Sequence, residues 1–185
     1  MDDSEKYTGI LPMSGPQGVF VDDNGNLIVC DTDNNALVFF DFKVEDGVET
    51  YTLNKVLRET TINTILSGNS VYSPSKVILD NSGRIYVIAL NNLNGIMQID
   101  DDGKFVTYIG ANYTQSTAWQ IFVRTVMPWL SNQTTQIVPT EYSNFMVDKD
   151  GFIYGTVSTI SWSDLSSHMV SKDPAVGAPI RKLNA

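Results

Sequence analysis

Apolar residues in this chain come in short runs, and the runs come in sets. Gly18-Val19-Phe20-Val21, Leu27-Ile28-Val29-Cys30 and Ala36-Leu37-Val38-Phe39-Phe40 follow one another closely. Asp22-Asp23-Asn24-Gly25-Asn26 separates the first two, and Asp31-Thr32-Asp33-Asn34-Asn35 separates the last two. Short apolar runs bounded by Asp, Asn and Gly read as antiparallel strands joined by tight turns. The pattern predicts a three-stranded meander over 14–42, with an elongated fourth strand completing the unit by about 58.

The pattern returns twice. Pro74-Ser75-Lys76-Val77-Ile78-Leu79 leads into Asp80-Asn81-Ser82-Gly83, and then into Ile85-Tyr86-Val87-Ile88. Ile96-Met97-Gln98-Ile99 and Phe105-Val106-Thr107-Tyr108-Ile109 supply its third and fourth strands, turned by Asp101-Asp102-Gly103-Lys104. The third unit repeats the turn as Asp148-Lys149-Asp150-Gly151 and adds Ile153-Tyr154-Gly155-Thr156-Val157. Its third strand is displaced to 178–184. Asp22 and Asp80 lie 58 residues apart, and Asp80 and Asp148 lie 68 apart. Four-stranded repeats usually recur every ~40–50 residues, so each interval holds extra chain. In 111–138, apolar residues at 118, 119, 122 and 126 have helical spacing. Thr117 with Gln120 fits a capping box, and Pro128 ends or kinks the segment or opens a second turn. A short helical insertion is expected near 117–130. The Ser-rich stretch 159–177 reads as a long loop.

The first unit resembles an NHL repeat of a β-propeller. Pro16, Gly18, Val19, Val21, Asp22, Gly25, Asn26, Val29, Asp31, Asn34, Asn35, Phe40 and Asp41 occupy the places of that repeat. Ala36 stands where the family usually has a basic residue. The second unit keeps Pro74, Asp80 and Gly83, with Ser75-Lys76 in place of Gln17-Gly18. The third keeps the Asp148-x-x-Gly151 turn. The resemblance implies an all-β fold: a partial propeller of about three four-stranded antiparallel blades in one domain over 1–185. The blades fall at about 14–58, 72–110 and 142–185, the last incomplete. Blades bury their faces by stacking about an axis. Three such units imply a piece of a longer propeller or, alternatively, copies that self-associate through open blade edges to complete a ring.

Charge narrows the partners. Twelve Lys and Arg against 21 Asp and Glu give a net charge of −9, which argues against a nucleic-acid backbone. No apolar run is long enough for a membrane span, and the acidic start has no signal-peptide core. One cysteine, Cys30, permits no internal disulfide and suits a packed strand position. The resemblance includes bacterial proteins in which such a propeller precedes a membrane domain. It implies an extracytoplasmic or cell-surface setting, with a soluble cytoplasmic one as the alternative.

The candidate chemistry is sparse. The Asp-rich turns resemble the start of a calcium loop, but only the one at Asp22 has an acid, Asp33, at its twelfth position. Hairpin turns are the simpler reading. The resemblance extends distantly to gluconolactonase-type propellers, which hold a divalent ion such as Ca²⁺ on the axis with Glu, Asn and Asp. It makes Glu141 and Asn144 the metal candidates. The sole histidine, His168, has no second His or Cys beside it, and Ser163, Asp164, Ser166 and Ser167 are its loop neighbours. Trp119, Trp129 and Trp162 gather around the insertions, either packing them or offering an aromatic patch to a partner. The expected function is a non-catalytic binding or scaffold module that needs no cofactor and takes a protein, peptide or carbohydrate. The alternative is a metal-dependent lactonase or related hydrolase.

Overall fold

The computed structural model describes residues 12–58, 72–90, 92, 94–110, 141–158, 160, 162, 165, 166, 169 and 178–184. These residues form three antiparallel sheets. The first holds β1 (Pro16–Val21), β2 (Leu27–Asp31), β3 (Ala36–Glu45) and β4 (Val48–Arg58) in that order. The second holds β5 (Pro74–Leu79), β6 (Ile85–Ala89), β7 (Ile96–Ile99) and β8 (Phe105–Ile109). The third holds β9 (Tyr142–Val147), β10 (Ile153–Val157) and β11 (Ile180–Leu183). The sheet architecture is all-β, as the short apolar runs and their turns require. The segment expected to be helical near 117–130 lies outside the described residues, as do Trp119, Trp129 and His168.

One expectation is corrected. Within the stretch read as loop, Trp162, Leu165, Ser166 and Met169 are helical. Trp162, Leu165 and Met169 recur at steps of three and four, a helical period hidden among serines.

The hairpins form for local reasons. Asp22, Asp80, Asp100 and Asp148 make the same turn. In each, the Asp carbonyl accepts the N–H of the Gly three residues on, at 2.9–3.1 Å. In each, Oδ1 accepts the backbone N–H groups two and four residues on, at 2.8–3.0 Å. One carboxylate thus holds two otherwise orphaned donors. The glycine sits at positive φ, 86° at Gly25 and 80° at Gly83, where a side chain would be strained.

The sheets stack face to face. Ile28, Cys30, Leu37 and Leu57 of the first sheet pack with Tyr72, Val77, Ile85, Val87, Met97 and Ile99 in one core. The other face of the second sheet, with Tyr86, Ile88, Ile96 and Ile109, packs on Tyr142, Phe145, Ile153 and Val157 of the third. The middle sheet is therefore buried on both faces, and β6 is buried at every residue. Such a strand loses its polar alternation. Each fully buried Ile or Leu contributes about 1.5–3 kcal/mol. β1 and β2 lie against β5, and β5 and β6 against β9, so the first strand of every sheet meets the first strand of the next.

Candidate functional site

β1, β5 and β9 are each an edge strand of their own sheet. Where the three edges converge they leave a cleft of about 370 Å³, lined by Gln17, Gly18, Lys76, Ile78, Asn144 and their strand neighbours. Unpaired edge backbone makes such a place a ready binding surface.

The three inner strands share one irregularity. The register shifts between Pro16 and Gly18 on β1, and between Pro74 and Lys76 on β5. On β9 the pairing passes from Tyr142–Val157 to Asn144–Thr156, the same shift. Gln17, Ser75 and Ser143 are the extra residues of three equivalent β-bulges. Ser75 donates from Oγ to the Ile88 carbonyl at 3.1 Å, and Ser143 donates to the Thr156 carbonyl at 3.3 Å. Bulges re-aim the residue beside them. The residue that follows each bulge, Gly18, Lys76 or Asn144, lines the cleft. A single structural position, used three times, therefore sets the polarity of the site.

Its occupants differ. At Gly18 an added Cβ would collide with the Ser75 carbonyl and meet Cys30 Sγ at 3.1 Å. Glycine is needed there because β1 and β5 approach too closely for a side chain. Lys76 Nζ donates to the Gln17 carbonyl at 3.4 Å, reaching across from β5 to β1. Asn144 is exposed on β9.

The acids that look available are committed to structure. Burial would raise the Asp80 carboxyl, but the Arg84 and Ser82 N–H groups, Arg84 Nε at 2.7 Å and the Tyr86 hydroxyl at 3.1 Å outweigh it. The group is held below the usual carboxylate range. The same neighbours act on Tyr86, whose hydroxyl is pushed up to about 12 by burial and by the Asp80 charge. Asp22 and Asp148 are lowered in the same way, again against desolvation. Asp22 and Asp33, the calcium-loop pair, lie at opposite ends of β2. Five strand residues span ~17 Å, too far to share an ion. Among the described residues, no three His, Cys, Asp or Glu side chains gather as a metal would require. Asn144 reaches the cleft; Glu141, half-buried just before β9, is not in its lining. Cys30 is fully buried, and burial pushes its thiol up to about 12, far from the nucleophilic range. Trp162 is 78% exposed.

The residue-level reading missed two features. In the sequence Lys76 is only a departure from the repeat, because the bulge that gives it meaning depends on pairing with β6. Tyr86 and Tyr154 each stand six residues after the turn aspartate, and each hydroxyl bonds that carboxylate. The spacing was visible, but its partner was not.

No curated protein sequence matches the chain. Among solved structures, a gluconolactonase-like protein is 20% identical with a TM-score of 0.42, covering 78% of this chain and 36% of its own. Virginiamycin B lyase from Staphylococcus aureus is 13% identical with a TM-score of 0.39, over 92% of this chain and 41% of the lyase. A catalytically inactive variant of that lyase, with quinupristin, is 14% identical with a TM-score of 0.42, over 94% and 42%. The chain spans about two fifths of the length of these structures. The NHL-repeat family model matches residues 13–40. The first of the three stacked sheets thus carries an NHL repeat, in β1, β2 and β3 and the turns that join them.

Proposed function

We propose that the protein is a non-catalytic binding module whose ligand enters the cleft between β1, β5 and β9. The observation that carries this reading is the threefold use of one bulged position, which brings Gly18, Lys76 and Asn144 to a common opening. Asp22, Asp80 and Asp148 support it, since each holds its own hairpin together and is drawn away from the acid–base range. A module of this kind belongs to a longer extracytoplasmic propeller in the proposed setting.

The hydrolase reading keeps one observation in its favour: Asn144 lies in the same cleft. The two readings separate in one assay. Lactone hydrolysis by the chain, with and without added Ca²⁺, should stay at the uncatalysed rate. Turnover that appears with Ca²⁺ and vanishes in Asn144→Ala would replace the binding module with the enzyme.

A further inference from the structure

The cleft also has a sign. The chain as a whole carries nine more negative than positive charges, yet among the described residues no Asp or Glu lines this opening. Among them its one charged lining residue is Lys76. Among the described residues the Lys76 ammonium makes no ion pair and one long hydrogen bond, to the Gln17 carbonyl at 3.4 Å. An ammonium has three N–H groups to give, so two remain to donate to a ligand in the cleft. Asn144, at the equivalent position on β9, adds an amide with two further donors. Gly18, the third equivalent position, adds no side chain and lets β1 and β5 approach each other beside the opening.

We propose that this cleft binds a small organic carboxylate, with Lys76 as its cation and Asn144 as the second donor. The proposal rests on the reading of the cleft as the binding site and adds the ligand's charge. A single ammonium matches the single charge of a carboxylate. A divalent cation would instead meet like charge from Lys76, with no acid nearby to compensate. The rest of the lining, with Val19, Phe20 and Ile78, suits an apolar body attached to the carboxylate.

The test uses benzoate and its neutral near-isostere benzamide, titrated into the ¹⁵N-labelled 185-residue chain at constant ionic strength, with CaCl₂ as a third probe. Benzoate should shift the amide signals of Gly18, Lys76, Val77 and Asn144 saturably. Benzamide should bind roughly ten- to a hundredfold more weakly, the range a charge-assisted hydrogen bond supplies. Lys76→Gln should bring benzoate down to the benzamide level, while Lys76→Arg should keep most of the binding. Equal binding of the two aromatic probes, or an unchanged Lys76→Gln, would overturn the carboxylate while leaving the cleft as the site. Calcium moving the same signals would also overturn it, in favour of the metal-binding alternative. No shift with any of the three would remove both the ligand class and the cleft.

Discussion

The two sheet–sheet interfaces are built differently. Between the first and second sheets, polar side chains bridge the stack around its core. Thr32 Oγ1 donates to the Pro74 carbonyl at 2.8 Å, Asn35 meets Ser73, and Lys55 Nζ donates to the Asp101 carbonyl at 2.8 Å. Behind them, Asp31 accepts Ser14 N–H at 2.8 Å and Asn34 Nδ2 at 2.7 Å, tying the lead-in segment to the turn. Between the second and third sheets, the bridge among the described residues runs from the Tyr142 hydroxyl to the Gly110 carbonyl at 3.0 Å. The cause is legible in the repeat. Counting by the 58-residue interval, Asp31, Thr32 and Asn35 of the first unit become Ala89, Leu90 and Leu93 in the second. The second unit keeps the hairpin turn and loses the residues that reach its neighbour. The motif therefore separates into two functions, closing a hairpin and fastening one sheet to the next.

The third sheet compensates by another route. Tyr142 stands where the other units have Pro16 and Pro74, and Gly155 stands where they have Val29 and Val87. A Cβ on Gly155 would lie 2.7 Å from the Tyr142 ring. The larger residue and the smaller one are a matched pair: the ring fills the space a valine would take, and its hydroxyl makes the bond to Gly110.

The glycines that fit these interfaces allow the sharpest break of the comparison. Gly18→Ala drives a methyl into the Ser75 backbone, which cannot rotate away. It should cost about 2–3 kcal/mol, the upper part of the overpacking range. Gly155→Ala meets an aromatic ring that can shift and should cost about 1 kcal/mol. Urea unfolding of the two variants measures the difference, and equal losses would show that the interfaces are not distinct.

The polar bridges come next. Thr32→Val keeps the shape of the side chain but leaves the buried Pro74 carbonyl without its donor, at a cost of about 1–3 kcal/mol. Tyr142→Phe removes a partly exposed bond and should cost about 1 kcal/mol or less. A larger loss for Tyr142→Phe would reverse the order of the two interfaces.

The smallest expected effect is in acid. Asp80 closes the β5–β6 hairpin of the middle sheet, and its partners Ser82, Arg84 and Tyr86 lie within that hairpin. Its folded-state carboxyl lies below the ordinary 3.8. A lowered folded value stabilises the native state above 3.8, and that contribution is lost as pH falls through the folded value. Thermal midpoints of the native chain should therefore drop across that window, and Asp80→Asn should flatten the drop. Asp22, which has the Asn26 amide where Asp80 has Arg84 and Tyr86, should give a weaker change. An Asp80→Asn variant with the native pH profile would contradict the role given to its hydrogen bonds.

How much was legible follows from range. The hairpins could be read because Asp-x-x-Gly chemistry is complete within five residues. The stacking could be inferred because a lone blade cannot bury its own faces, and because β6 carries a continuous apolar run that two-sided burial explains. The cleft could not be read, because Gly18, Lys76 and Asn144 look unrelated until three bulges place them in register. Tyr142 and Gly155 were hidden for the same reason: their match runs across two strands that the sequence separates by a turn.

The central claim is that the three sheets stack with β1, β5 and β9 innermost, and proton–proton Overhauser contacts test it most directly. The account predicts contacts from the Gly18 α-protons to Ser75, and from the Tyr142 ring to Gly110, with no ladder between β4 and β5. A continuous β4–β5 ladder without the Gly18–Ser75 contact would mean one extended sheet, and would remove both the stack and the cleft it encloses.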